Sequence, residues 1–383
     1  MNLRKLMCLS TILFFFSTVL AACSDNGDKK SDEPSGSLTL STEILNFDSD
    51  GGSASVTVEA SREWDASCDA AWVKISKSGT LDRSGRIDVT VQENTTTSPR
   101  NARLTILSGS VRANVSISQA AKTPEPVDPS IDVPEGYSLV WHDEFDGDAL
   151  DSKHWRHEVK SAGWVNNELQ NYVSSPIDGN PVTEVSDGSL KINCFKAKNG
   201  KIYSGRIYAH VNEGWKYGIM EARIKLPKGR GTWPAFWMMP VNNDFSTNPW
   251  PRCGEIDIME EVGYHPNYTS SSIHCESYNH VIGTQKTAER YTAGAEDDFH
   301  VYRLEWTADY IRTYVDGNQL LYFPNDKANK VQTWPFDKPF YIILNLAWGG
   351  DWGGNQGTDE SKLPATLQVD YVRVFQNNLV SPD

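Results

Sequence analysis

The sequence predicts an all-β protein, a small β-sandwich followed by a larger one of jelly-roll type. Three observations predict that class. Short runs that alternate apolar and polar residues, or are rich in β-branched ones, fill Leu38 to Ala120 and again Tyr137 to Gln376, the pattern of strands with one buried face. No long stretch repeats apolar residues at helical spacing, and helix is confined to a turn near Asp151 to His154. A Pro-rich acidic segment, KTPEPVDPSIDVP, parts the two runs. A length of 383 residues fits two folded units and a leader.

The leader comes first. MNLRK is basic, the residues from Leu6 to Leu20 are largely apolar, and Ala21-Ala22-Cys23 follows. A charged start, a short apolar stretch and small residues make 1–22 a secretory signal whose apolar part is short for a membrane span. LAAC resembles a bacterial lipobox, in which Cys23 becomes the lipidated first residue. Ser24, not Asp, comes next. The resemblance then implies a lipoprotein of the outer membrane of a Gram-negative bacterium, exposed at the cell surface and touching the membrane through its lipid alone. Residues 23–36 are acidic and rich in Ser and Gly, and read as a flexible tether.

The first unit spans 37–121. SLTL, SASVTVEA, RIDVTVQ, ARLTILS and RANVSISQ are its strands, with Asp50-Gly51-Gly52 and the stretch from Asn94 to Pro99 as turns. It holds no reactive constellation. Trp64 and Trp72 have the faces to stack on a sugar, but packing a core is the commoner fate of such residues, and it leaves the unit as a spacer. Residues 122–135 follow as an extended linker.

The second unit spans 136–377. SLKINCF, MEARIKL, EIDIMEEV, VYRLEWT, IRTYV, NQLLYF and LQVDYVRVF are its clearest strands, and Asp316-Gly317 closes a hairpin. So many antiparallel strands suggest two packed sheets.

Composition narrows the function. A net charge of −14 argues against a nucleic-acid binder, which needs clustered Lys and Arg. Thirteen Trp and fifteen Tyr on an acidic, secreted chain point instead to carbohydrate, because aromatic faces stack on the C–H faces of sugar rings. With Cys8 and Cys23 in the leader and lipobox, Cys68, Cys194, Cys253 and Cys275 remain, and no CxxC marks a zinc site. Spacing leaves a disulfide among the last three open; buried thiols are the expectation.

The chemistry sits in Gly254-Glu255-Ile256-Asp257-Ile258-Met259-Glu260. As a strand, it places Glu255 and Asp257 on one face and Ile256 and Ile258 on the other. Strict alternation would send Glu260 to the apolar face. A β-bulge at Ile258-Met259 would return it to the face of the other acids. Three acids on one face repel, so the arrangement needs a purpose. Retaining glycoside hydrolysis supplies one, since it uses a carboxylate nucleophile and a protonated carboxyl about 5–5.5 Å apart. A third acid between them can separate their pKa values.

These residues and their surroundings resemble glycoside hydrolase family 16 in its laminarinase-like branch, whose members share a concanavalin-like jelly roll. The resemblance runs over WHDEFDG at 141–147, NNELQNY at 166–172, SGRI at 204–207, YGIMEARIKLP at 217–227, WPAFWM at 233–238 and VDYVRV at 369–374. It implies Glu255 as nucleophile, Glu260 as acid/base and Asp257 as the assisting acid. Trp233, Trp237, Asn167, Arg206 and His274 are its implied cleft residues. Trp348 stands where many laminarinases carry a smaller apolar residue, an added ring that would reshape the cleft. Glu144, Gly188 and Asp370 match the positions of a structural calcium, and no cofactor is implied for catalysis.

The first unit, through Phe47, Gly51-Gly52, Trp64, Trp72-Val73, Asn94, Arg100 and Gln119, resembles the Bacteroidetes-associated carbohydrate-binding often N-terminal (BACON) domain, an immunoglobulin-like β-sandwich. Together the resemblances imply a monomeric, retaining endo-glucanase acting on β-1,3 or mixed β-1,3/1,4 glucans. A galactan cleaved by the same mechanism, and a non-catalytic glucan-binding surface protein, are the two other readings. The second of these predicts a degraded acid motif, and the motif here is intact.

Overall fold

The computed structural model describes residues 36–80, 83–96, 98–122, 130–211 and 213–377. The leader, Cys23 and nearly all of the tether lie outside the described residues. Two compact units divide between Pro124 and Glu125. Ile131 is buried and packs with Val133 against Ile219 and Phe375, so the end of the segment read as a linker belongs to the second unit.

The first unit is two four-stranded sheets. One holds Leu38–Leu40, Gly52–Ala60, Val73–Thr80 and Ser84–Val91; the other holds Ile44–Phe47, Asp65–Cys68, Arg100–Ser108 and Val111–Gln119. Val56, Val58, Ile87, Val89, Leu104, Ile106, Val115 and Ile117 meet between them. Trp64 is buried in that core and Trp72 packs against it, with the Arg100 guanidinium 4.4 Å from the Trp72 ring centre. Both tryptophans therefore serve packing. Gln119, also buried, explains its place in the motif. Its amide donates to the carbonyls of Asp48, Ser49 and Gln92, and its Oε1 accepts from Arg100 Nε.

The second unit packs a seven-stranded sheet on a ten-stranded one. The strands of the smaller sheet are named here β1 (Trp155–His157), β2 (Arg206–Ala209), β3 (Thr232–Pro240), β4 (Glu255–Glu260), β5 (Tyr268–His274), β6 (Lys286–Tyr291) and β7 (Phe340–Trp348). They lie in the order β1-β2-β7-β3-β4-β5-β6. Phe236, Met238, Ile256, Ile258, Ile273, Ile342 and Leu344 face Leu190, Ile192, Ala222, Tyr302, Leu304, Val372 and Val374 of the larger sheet in one core. The hairpin closes as expected, with Asp316 and Gly317 both in the left-handed region at φ 48° and 72°, the requirement of a two-residue turn matching strand twist.

Among the described residues helix is confined to single turns, and none of them stands where the sequence reading placed it. Residues 151–154 form only a turn, whereas single helical turns stand at His280–Ile282, Gly350–Gly353 and Glu360–Lys362.

The last strand, Ala365–Asn377, changes partner midway. Its first half pairs Ser189–Lys196 up to Val369, and its second half pairs Tyr137–Asp143 from Val372. Glu144, Gly188 and Asp370 all fall at this handover.

Replacing Gln119 by Leu would remove its amide hydrogen bonds to three carbonyls and the one it accepts from Arg100 in the first unit. The expected cost is about 2–3 kcal/mol. Hydrogen exchange should quicken across 37–122 and stay unchanged across 136–377.

Candidate active site

Each functional side chain is placed by the two-residue period of its strand. On β4, Met259 pairs Phe236 while Asp257 pairs Trp237, so Ile258 is an extra residue against β3. The same shift lies between Asp257 and Glu260 against β5. This is the bulge that the acid spacing requires. Ile256, Ile258 and Met259 all enter the core, and Glu260 returns to the face of Glu255 and Asp257. Gly254 leads into the strand at φ 89°, where a Cβ would stand 2.8 Å from Pro335.

The loop before β4 and the neighbouring strands supply the partners. Trp250 Nε1 donates to Glu255 Oε2 at 2.9 Å, and Trp233 Nε1 donates to Glu260 Oε1 at 2.9 Å. His274, opposite Glu255 on β5, puts Nε2 at 3.2 Å from Asp257 Oδ2 and 4.0 Å from Glu255 Oε1. Among the described residues, Glu255, Asp257 and His274 are the only group of three side chains close enough to share a metal ion. An ion bound there would occupy Glu255.

All three acids titrate above the ordinary carboxylate range. Burial, then the charge of Asp257, pushes Glu255 up to about 8. Burial, then Glu260, raises Asp257 well above its usual value. Glu260 is raised by burial, against the hydrogen bond from Trp233. Asp257 lies deeper than Glu255, at 3 % exposure, and the drier site penalises charge more. Glu255 is braced by the Trp250 indole, whose hydrogen bond favours its ionised form. The arrangement can present one ionised carboxyl and one protonated carboxyl to the two sides of a bond.

Beyond β3 the cleft continues over β7 and β2. Trp237 faces it, its Nε1 donating to Asn345 Oδ1 at 2.8 Å. Arg206 lies between the rings of Trp164 and Trp237, 5.0 and 4.7 Å from their centres, and its Nε donates to Glu158 Oε2 at 2.6 Å. Asn167, at φ 51°, donates to Asp351 Oδ1 at 2.8 Å. Trp352 meets Trp233 edge-on at 5.5 Å. Trp164, Trp250, Trp352 and Asn345 were missed from sequence. Asn345 alone carried a signal, as a polar residue in an otherwise apolar strand.

Trp348 needs correction. Its ring is fully buried with Ile342, Leu344 and Leu346, the even-numbered face of β7 that packs into the core. Ala347, opposite Trp233, holds the cleft side instead.

At the strand handover, the Glu144 carboxylate is already held. Against the cost of burial, hydrogen bonds from His142 and Arg373 bring it down to about 2. Asp370 Oδ2 accepts from Arg223 at 2.7 Å. Cys68, Cys194, Cys253 and Cys275 are free thiols, with burial pushing Cys194 up to about 12.

The sequence profile of Glycosyl hydrolases family 16 matches residues 169–373, and that of the Viral BACON domain matches 37–122. A beta-glucanase of Rhodothermus marinus is 42 % identical over 247 residues, 63 % of this chain and 85 % of that protein. Glucan endo-1,3-beta-glucosidase A1 of Niallia circulans is 35 % identical over 69 % of this chain and 41 % of its own length. The X-ray structure of the laminarinase from Rhodothermus marinus superposes with a TM-score of 0.59 at 41 % identity, covering 63 % of this chain and 97 % of that one.

Glu261 offers a test of the electrostatics. It follows Glu260, so it points inward and is fully buried. Burial, then Glu296, pushes it up to about 9. A raised carboxyl contributes its full stability below the unfolded value of about 4.5 and loses it as pH climbs through 9. Glu261→Gln cannot ionise and should gain on the parent steadily from pH 5 to 9. Thermal melts at both ends of that window check it; a constant offset would contradict the burial argument.

Proposed function

The chain belongs to glycoside hydrolase family 16, and from that premise we propose that it is a retaining endo-glucanase of β-1,3 or mixed β-1,3/1,4 glucans. The bulge that sets Glu260 beside Glu255 carries the mechanistic reading. Glu260 protonates the glycosidic oxygen as Glu255 attacks the anomeric carbon, which breaks the C–O bond and leaves a covalent glycosyl-enzyme. Glu260, now ionised, takes a proton from water, and the water oxygen displaces Glu255. The net reaction consumes one water per bond, and both carboxyls regain their starting state. Asp257 holds its proton toward Glu255 and so steadies the departing carboxylate in the second step. This two-carboxylate cycle calls for no cofactor.

Trp164, Arg206 and Trp237 form the platform for sugar units on one side of the bond. The β-1,3-glucan assignment rests on the likeness to glucanases and on the intact acid motif. A calcium ion at the handover would have the carbonyls of Glu144 and Gly188 and the Asp370 carboxylate as ligands, since the Glu144 side chain is taken. Oxygen donors suit calcium, and its role there would be to tie three segments together.

Nucleophile and acid/base can be told apart chemically. Glu255→Gly should lose activity by about 10⁴-fold or more, and added azide should give a glycosyl azide of inverted configuration. Glu260→Gly with azide should give the retained anomer. The same configuration from both variants would refute the assignment. Product analysis on laminarin, barley β-glucan, lichenan and agarose tests the substrate class, and cleavage of agarose alone would move the enzyme to galactans.

The leader and LAAC support a surface-exposed outer-membrane lipoprotein. Labelled fatty acid should enter the parent in a Gram-negative host and not Cys23→Ala. Equal labelling of both would sink the anchor.

A further inference from the structure

The cleft on the other side of β4 carries aromatic residues that the glucanase reading leaves without a task. Position 268 shares the open face with the acids, because Glu260 pairs Ser270 and Glu255 pairs His274, both of the same parity. Tyr268 in turn pairs Tyr291 on β6, the last strand of the sheet. The two rings lie 5.3 Å apart, and His265 stacks on Tyr268 at 3.8 Å and 16° between planes. His265 Nδ1 is 3.7 Å from Glu289 Oε1. Tyr291 is 57 % exposed, and no strand lies beyond it.

We propose that His265, Tyr268 and Tyr291 form an acceptor-side saccharide platform, which holds the part of the glucan that leaves in the first step and the saccharide that can replace water in the second. The proposal rests on the glucanase reading. An endo-acting enzyme must hold sugar on both sides of the broken bond, and Arg206, Trp164 and Trp237 occupy one side only. The leaving oxygen is protonated by Glu260, so the departing chain lies toward the Glu260 end of β4. That end faces Tyr268 across the sheet. Strand spacing of about 4.8 Å and a rise of about 3.4 Å per residue put Tyr268 roughly 8 Å and Tyr291 roughly 12 Å from Glu260, backbone to backbone. That is the reach of the first sugars past the bond. Tyrosine suits the task, with a flat apolar face and a polar tip. Ser270, Thr287 and Glu289 stand on the same face to meet sugar hydroxyls.

The test compares two substrates on the full chain. Laminarin places sugar on the platform; a β-laminaribiosyl fluoride carries donor sugars alone, and its fluoride leaving group reaches neither ring. Tyr291→Ala should lower kcat/KM on laminarin by about three- to tenfold, the scale of one lost stacking contact, and leave the fluoride unchanged. Transfer from the fluoride to added laminaribiose should weaken in parallel, and Tyr291→Phe should behave as the parent. Tyr268→Ala should act the same way more strongly. An equal fall on both substrates would mean a structural effect reaching Glu260, and no fall on laminarin would mean an idle surface; either overturns the platform. If the parent cleaves the fluoride but no glucan, the substrate assignment fails and the platform falls with it.

Discussion

Three carboxyl groups share one poorly solvated strip of a β-strand, and their mutual repulsion governs what surrounds them. Left alone, they would draw in water or hold protons indiscriminately. The protein answers with directional partners. One indole N–H is assigned to Glu255, another to Glu260, and the imidazole of His274 lies against Asp257. The two indoles favour the ionised form of Glu255 and Glu260 without competing for it as a fixed cation would. A lysine or arginine in either place would hold its carboxylate ionised at every working pH and end the proton traffic. Tryptophan also brings a large apolar body that fills the cleft floor, so the group that orients an acid also dries it.

Cationic side chains are used where permanence matters. Arg373 clasps Glu144 with two hydrogen bonds at the edge of the larger sheet, and Gln119 gathers an arginine and three carbonyls in the first unit. These are joints that do not titrate in the working range. The contrast between neutral donors at the acids and charged ones at the joints divides chemistry from architecture in this molecule.

Much of this was legible in the sequence because strands with one wet face advertise themselves. Alternation located the strands of both units, and the conflict between Glu260 and that alternation exposed the bulge. The signal faded where both faces of a strand are covered. Phe340–Trp348 reads as an almost unbroken apolar run, so its two faces were not told apart and Trp348 was set in the cleft when it belongs to the core. Trp164, Trp250 and Trp352 come from loops and a helical turn, where no period predicts direction. The ion pair of Glu144 with Arg373 joins residues far apart in the chain, and neither one alone reveals the other.

The bulge has a consequence for how such a chain can change through descent. A strand with its extra residue at Ile258-Met259 presents Glu255, Asp257 and Glu260 together. Remove one residue there, and the strand straightens into plain alternation, with the last glutamate moved back by one and again on the shared face. Loss of a single codon at this point thus conserves the constellation. What it alters is the local twist and the angle at which the acid/base glutamate meets its substrate. Most one-residue deletions in a buried strand invert every side chain downstream, but at this position the strand geometry can absorb one, at the expense of cleft shape and not of chemistry.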